Sequence, residues 1–217
     1  MTRASEQALQ GLRDPKTMQW YAIPLLAIVF YVYARELAEA RKSKDYGVVQ
    51  AGFTVLGMDL VNETINGWIL ALTHRSALWT APGPSALRIF VGLNLEIFFM
   101  FAIAGIIFAR SWSDRPGARV LGLPDRWFWA VAYSAFSVLV EWWLNLGDVL
   151  VWEYSWWNRS PLGVVPIFFF GYLHFYVAAI LVLRLRSNRG RAIAILSIYG
   201  VALVGNVLGL GVLGYRY

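Results

Sequence analysis

Six long apolar stretches divide this chain, at approximately residues 16–37, 46–73, 86–109, 126–152, 161–183 and 192–213. A helix rises about 1.5 Å per residue, so about 20 residues cross a hydrocarbon layer of about 30 Å, and each stretch is long enough. No other feature restricts the fold as much, because a chain inside a bilayer must satisfy its backbone polar groups within the span itself. The expected fold class is all-α: a polytopic integral membrane helical bundle of six transmembrane helices. It forms one domain over residues 1–217, with no length left for a soluble domain. Asp14-Pro15 and Ser160-Pro161 read as a cap followed by proline at the first helical position, and Ser85 reads as a cap for the third stretch.

Composition agrees. Hydrophobic residues make up 59% and charged residues 15%, against about 25% charged in a soluble domain, and the mean hydropathy is +0.54. Cysteine is absent, which excludes disulfides, thiolate metal sites and cysteine nucleophiles. The net charge of +6 lies in short loops between apolar runs, a membrane pattern rather than a nucleic-acid footprint. Twelve Lys and Arg fall in the loops after stretches one, three and five, and seven fall on the other side. The bias places the three odd-numbered loops in the cytoplasm and both termini outside. The first apolar run ends in Ala34-Arg35-Glu36 with no small-residue cleavage site, so no signal peptide is expected. The expected location is the plasma membrane of a bacterium.

Polar residues interrupt these spans in a pattern. Asp59, Asn62, Glu63 and Asn66 are spaced i, i+3, i+4, i+7, one face of the second helix. Glu141, Asn145, Asp148 and Trp152 follow i, i+4, i+7, i+11 on the fourth. Counted inward from the outer ends, these groups, with Asn94 and Glu96 on the third helix, His174 on the fifth and Asn206 on the sixth, fall in one band. At about 1.5 Å per residue the band lies roughly 8–21 Å deep. One chamber between helices is the economical reading. No Lys or Arg lies deep in any span, so a carboxyl group there must be protonated, hydrogen-bonded by neutral donors, metal-bound or wetted by a cavity. Such a setting prepares an acid to protonate a poor base. Trp142 and Trp143 are mid-span, and Phe168–Phe170, Tyr172, Phe175 and Tyr176 crowd the fifth helix. Aromatic faces stabilise a cation by about 0.5–2 kcal/mol each.

Glu63 and Glu141 are thus the first candidates for catalytic acids, with Asp59 and Asp148 behind them. Asn62, Asn66, Asn94, Trp142, Asn145, Tyr172 and His174 are the candidate substrate-binding residues. Glu96 reads as a helix–helix hydrogen-bonding group, and Asn206 among glycines as polar glue in close packing. Trp152, Trp156 and Trp157 read as an outer interfacial belt, with Trp112, Trp127 and Trp129 as the inner one. No metal site is expected: two histidines are too few for histidine-rich oxygenase sites, and the helical Glu-x-x-His signature is missing. No serine elbow or phosphate loop is present.

Three short features, Asp45-Tyr46-Gly47, Glu63 and Leu93-Asn94-Leu95, resemble the small integral-membrane terpene cyclases of meroterpenoid biosynthesis. The resemblance covers about a third of the chain. It implies that an acid on the second helix protonates a terminal epoxide or alkene of a prenyl chain, which then cyclises without metal, diphosphate or other cofactor. The pattern departs from that family in three ways, the first being six expected helices where the family usually has seven. The helix-2 acid lies farther from Tyr46-Gly47, so Asp59 competes with Glu63. The second functional acid near the C-terminus is missing, so helix 4 must supply it from Glu141 or Asp148. Glu141, Gly147, Tyr154 and Gly163-Val164-Val165-Pro166 also resemble carotenoid hydratases, which protonate an isoprenoid alkene and add water. The expected partners are an isoprenoid or other hydrophobic lipid substrate and the bilayer, not nucleic acid. A proton-coupled small transporter is the alternative outside enzymology.

Overall fold

The structure is a computed structural model that describes residues 1–113 and 115–217. It is mostly helical. Helix α1 is Arg3–Gln10, α2 Ala22–Ser43, α3 Gly47–Thr73, α4 Leu95–Arg110 and α5 Asp125–Leu146. A composite helix follows: α6 Pro161–Pro166, a π-helical turn Ile167–Leu173, and α7 His174–Arg184. Helix α8, Asn188–Asn206, continues as a π-helical turn over Val207–Val212. Two short antiparallel ladders complete the fold. Strand β1 (Trp79–Thr80) pairs with β4 (Val151–Trp152), and β2 (Arg119–Val120) pairs with β3 (Leu123–Pro124).

Helix α3 is the central post, packed against α2, α4, α7 and α8. It runs 27 residues, and its side chains are buried on most faces. Small residues set its closest approach to α4: a Cβ on Gly105 would lie 2.3 Å from the Ala51 carbonyl oxygen, and one on Gly52 would lie 3.2 Å from that of Ala102. Two helical segments, Pro161–Arg184 and Asn188–Val212, are long and apolar enough to cross a membrane by length and composition. Only 17% of the apolar window of the second is buried, so it is not the core helix of a soluble fold. Large apolar side chains are also exposed along α2 (Ile23, Phe30, Tyr31) and α5 (Phe136, Leu139, Trp143).

The helix ends differ from the sequence expectation in four places. Asp14 caps only a single 3-10 turn, Pro15–Thr17, α2 begins at Ala22, and it runs on to Ser43 through the charged residues that follow its expected end at 37. The third long helix starts at Leu95 rather than near 86, because the apolar residues before it fold into a loop held by buried Arg88. That guanidinium donates to the carbonyls of Ala81, Gly83, Gln7 and Ala8. The fourth ends at Leu146 rather than 152, since residues 147–150 turn out of the helix and Val151 and Trp152 pair with β1. Helix α4, at 16 residues, is therefore about 24 Å long.

The bundle has two unlike ends. At one, α1, the 74–94 loop and the 147–160 segment form a cap, tied by the Thr2 N–H to the Arg75 carbonyl, by Tyr154 Oη to the Ser76 carbonyl, and by β1–β4. At the other, the basic loops meet. Among the described residues the ion pairs Glu36–Arg110 and Asp45–Arg191 are both found here.

Candidate active site

Asn66, near the end of α3, builds the site's outer wall. Its Oδ1 accepts the N–H groups of Leu78 and Trp79, and its Nδ2 donates to the Trp79 carbonyl. Those bonds fold the chain back over the helix and aim the Trp79 indole downward. Trp79 Nε1 then donates to Glu63 Oε1 at 2.6 Å. Gly92 makes room for the ring, since a Cβ there would lie 2.4 Å from Trp79 Nε1. Trp157 stacks on Trp79 with centroids 5.7 Å apart.

Beneath this pair lies a cavity of about 20 Å³. Asp59, Asn62 and Glu63 of α3, Phe101 of α4, Glu141 of α5, and Tyr172 and Phe175 from the composite helix line it, together with Trp79 and Trp157. Asp59 and Glu63 are almost fully buried. Asp59 Oδ2, Glu63 Oε2 and Trp157 Nε1 have no hydrogen-bond partner among the described residues. Glu141 faces the Tyr172 hydroxyl and the Trp152 indole. Three carboxyl groups from two helices thus converge under an aromatic lid, with no ammonium or guanidinium among the lining residues. About 10–15 Å³ is enough for one water molecule, which needs two to four polar partners, so the cavity is water-sized and has the groups to hold one.

A second layer orients the first. Asn62 donates through Nδ2 to the Phe170 carbonyl, and its Oδ1 lies 3.1 Å from His174 Nε2. His174 Nδ1 is 3.2 Å from the Phe169 carbonyl. Both acceptor carbonyls belong to the π-helical turn that follows Pro166. Proline removes one helical N–H and crowds the preceding turn, and single π turns within α-helices recur at functional sites.

Of the expected site residues, Asp59, Asn62, Glu63, Glu141 and Tyr172 come together, with His174 and Asn66 as their supports. The others do not. Asp148 lies beyond the end of α5 in an exposed turn with φ +53°, so its expected place on the α5 face is corrected. Asn94 caps α4 by accepting the Ile97 N–H. Asn145 donates to the Leu150 carbonyl and shapes the same turn. Trp142 packs against the hydrophobic core and not against the cavity. Glu96 binds the Tyr21 hydroxyl and the Ala86 N–H, and Asn206 binds Thr64 and Tyr217. The band of polar depths therefore resolves into one acid cavity and several structural contacts. Sequence reasoning missed Trp79 and Phe101 and gave Trp157 to the interfacial belt. The apolar triplet Ala77-Leu78-Trp79, just past the end of α3, was the available signal for Trp79. Among the described residues no three His, Asp or Glu side chains are arranged to hold a metal ion.

Residues 2–211 match the sequence pattern of an uncharacterized membrane protein family. The chain belongs to that family. An uncharacterized protein of Archaeoglobus fulgidus is 43% identical over 179 residues, which is 82% of each chain. No solved structure matches this chain. Neither description states an activity, so chemistry has to be argued from the cavity.

Proposed function

We propose that this is a multi-pass plasma-membrane enzyme, crossing the bilayer six times, whose buried acids initiate carbocation chemistry on an isoprenoid lipid. One observation carries the reading: Asp59, Glu63 and Glu141 share an aromatic cavity with no basic partner among its lining residues, and Asp59 and Glu63 each keep an open carboxyl oxygen. Glu63 is the proton donor. Its Oε1 is fixed by Trp79, which leaves Oε2 free to face a substrate. The O–H bond breaks as a C–H bond forms at an alkene terminus, or as an epoxide oxygen takes the proton and its C–O bond opens. The positive carbon then passes along the faces of Trp79, Trp157, Phe101, Tyr172 and Phe175, each worth about 0.5–2 kcal/mol to a cation. Ring closure uses the chain's own double bonds as nucleophiles. Loss of a proton to the Glu141 carboxylate leaves a neutral product, and return of that proton to the Glu63 carboxylate resets the acid. The cavity as described is water-sized, so a prenyl chain is admitted only when the aromatic lid or the π-helical wall moves outward.

A second reading shares every step but the last. The cavity size and its open polar atoms favour a bound water, which would attack the cation and return its proton to Glu63. The product would then be a tertiary alcohol rather than a ring, the outcome of a hydratase.

Mass spectrometry of lipid extracts separates these. Cells expressing the wild type should gain an isomer of an isoprenoid lipid, or a product heavier by one water. Glu63→Gln should abolish it, by about 10²-fold or more for loss of a general acid, and Glu141→Gln should reduce it strongly. Product unchanged in both variants overturns the assignment. No product across a broad isoprenoid panel favours a proton-coupled transporter.

A further inference from the structure

The geometry points to a second site, at the basic end of the bundle, that binds the phosphate of an anionic membrane lipid. A cavity of about 500 Å³ opens there between the end of α4, the start of α5 and the end of α7. Arg115, Arg126 and Arg184 line it, drawn from three different parts of the chain. A neighbouring cavity of about 350 Å³ shares Ser113 and Arg126 and adds Arg191 and Trp112. The two form one basic recess of headgroup size.

The arginines differ in how far they are already engaged. Arg191 is spent on the fold, donating to Asp45 and to the carbonyls of Leu183 and Leu185. Asp125 is engaged as well, accepting the Ser113 N–H. The guanidiniums of Arg115, Arg126 and Arg184 make no hydrogen bond or ion pair with any described residue. Two of them are nevertheless held in place. Arg126 lies over the Trp112 ring at 4.4 Å and Arg184 over Trp127 at 6.0 Å. Stacking fixes a guanidinium plane while leaving its edge free for the paired N–H donation that suits a phosphate. The buried Trp112 Nε1 also has no acceptor among the described residues.

The surroundings favour a lipid over a soluble anion. The β2–β3 hairpin flanks the recess and packs against the start of α5. Its tip residue, Leu121, is 89% exposed, and Leu123 beside it is also exposed. An apolar tip next to arginines and interfacial tryptophans belongs at the boundary between headgroups and acyl chains. Basic pockets between helix ends on the cytoplasmic side suit anionic headgroups, and this is the end that the loop charges place inside.

Native mass spectrometry of the full chain in a zwitterionic detergent tests this, with phosphatidylglycerol and phosphatidylcholine as probes. The wild type should retain phosphatidylglycerol in preference. Arg126→Gln and Arg184→Gln should each weaken retention about fivefold, from the usual contribution of one basic residue at an anionic surface, and the double variant more. Arg184 is exposed at a helix end, so its variant folds. Arg159→Gln removes the same charge at the opposite end and should leave retention unchanged. Equal retention of both lipids, or equal loss in the Arg159 variant, overturns the site. Displacement of the lipid by millimolar inorganic phosphate also overturns it, in favour of a soluble anion.

Discussion

Glu63 and Asp148 are both carboxyl side chains in apolar runs, the first ranked ahead of the second from sequence, and their environments separate them further. Glu63 is 1% exposed, with one oxygen on an indole N–H and the other open to a shared cavity. Asp148 sits in solvent at φ +53°, a left-handed backbone position that Asn and Asp tolerate better than most residues. Asp148→Asn should therefore leave both product yield and the thermal midpoint in detergent unchanged, within about 0.5 kcal/mol as for surface substitutions. Glu63→Gln keeps the shape and can still accept from Trp79, so its loss of product would report chemistry rather than unfolding. A large effect of Asp148→Asn would show that the turn, not the cavity, carries the reaction. The acids on α3 were legible because i, i+3, i+4 spacing is a property of one helix. Trp79 and Trp157 were not, because their place over Glu63 depends on Asn66 folding a loop back across the helix end.

At the level of elements, the apolar lengths gave the helices and little about their ends. Residues 86–93 are as apolar as the helix they precede, yet buried Arg88 collects four carbonyls there and holds the backbone out of helix. Residues 147–152 continue the α5 pattern, but ladder bonds to Trp79 and Thr80 take their place in the fold. In both cases a long-range partner decided what periodicity could not. The α3–α4 contact is governed by a different rule, backbone approach through small residues. A methyl group on Gly105 would meet the Ala51 carbonyl at 2.3 Å, and backbone cannot swing aside as a side chain can. Gly105→Ala should force the helices apart and destabilise the protein by about 1–3 kcal/mol, the usual cost of overpacking. A lowered thermal midpoint with retained helix content by circular dichroism is the expected reading. Because Phe101, one helical turn from Gly105, lines the acid cavity, product yield should fall with it.

Across the whole molecule the two ends are chemically unlike. The cap end carries the tryptophan lid over the acid cavity, and the basic end carries the ion pairs and the arginine recess. The proposed six crossings would account for this segregation, since each successive helix would then return the chain to the opposite end, and twelve of nineteen basic residues lie in the loops assigned to one of them. The chain contains no cysteine, so a single introduced thiol reports its own side without background. Arg159 and Arg186 are both exposed, at the cap end and the basic end respectively. With a membrane-impermeant maleimide, Arg159→Cys should label in intact cells and Arg186→Cys only after lysis. Labelling of both in intact cells would refute a membrane between the two ends, and the inverse pattern would place the lid inside. The expected pattern puts the acid cavity nearer the outer leaflet, so a lipid substrate would reach Glu63 from that side, through the aromatic lid rather than past the arginines.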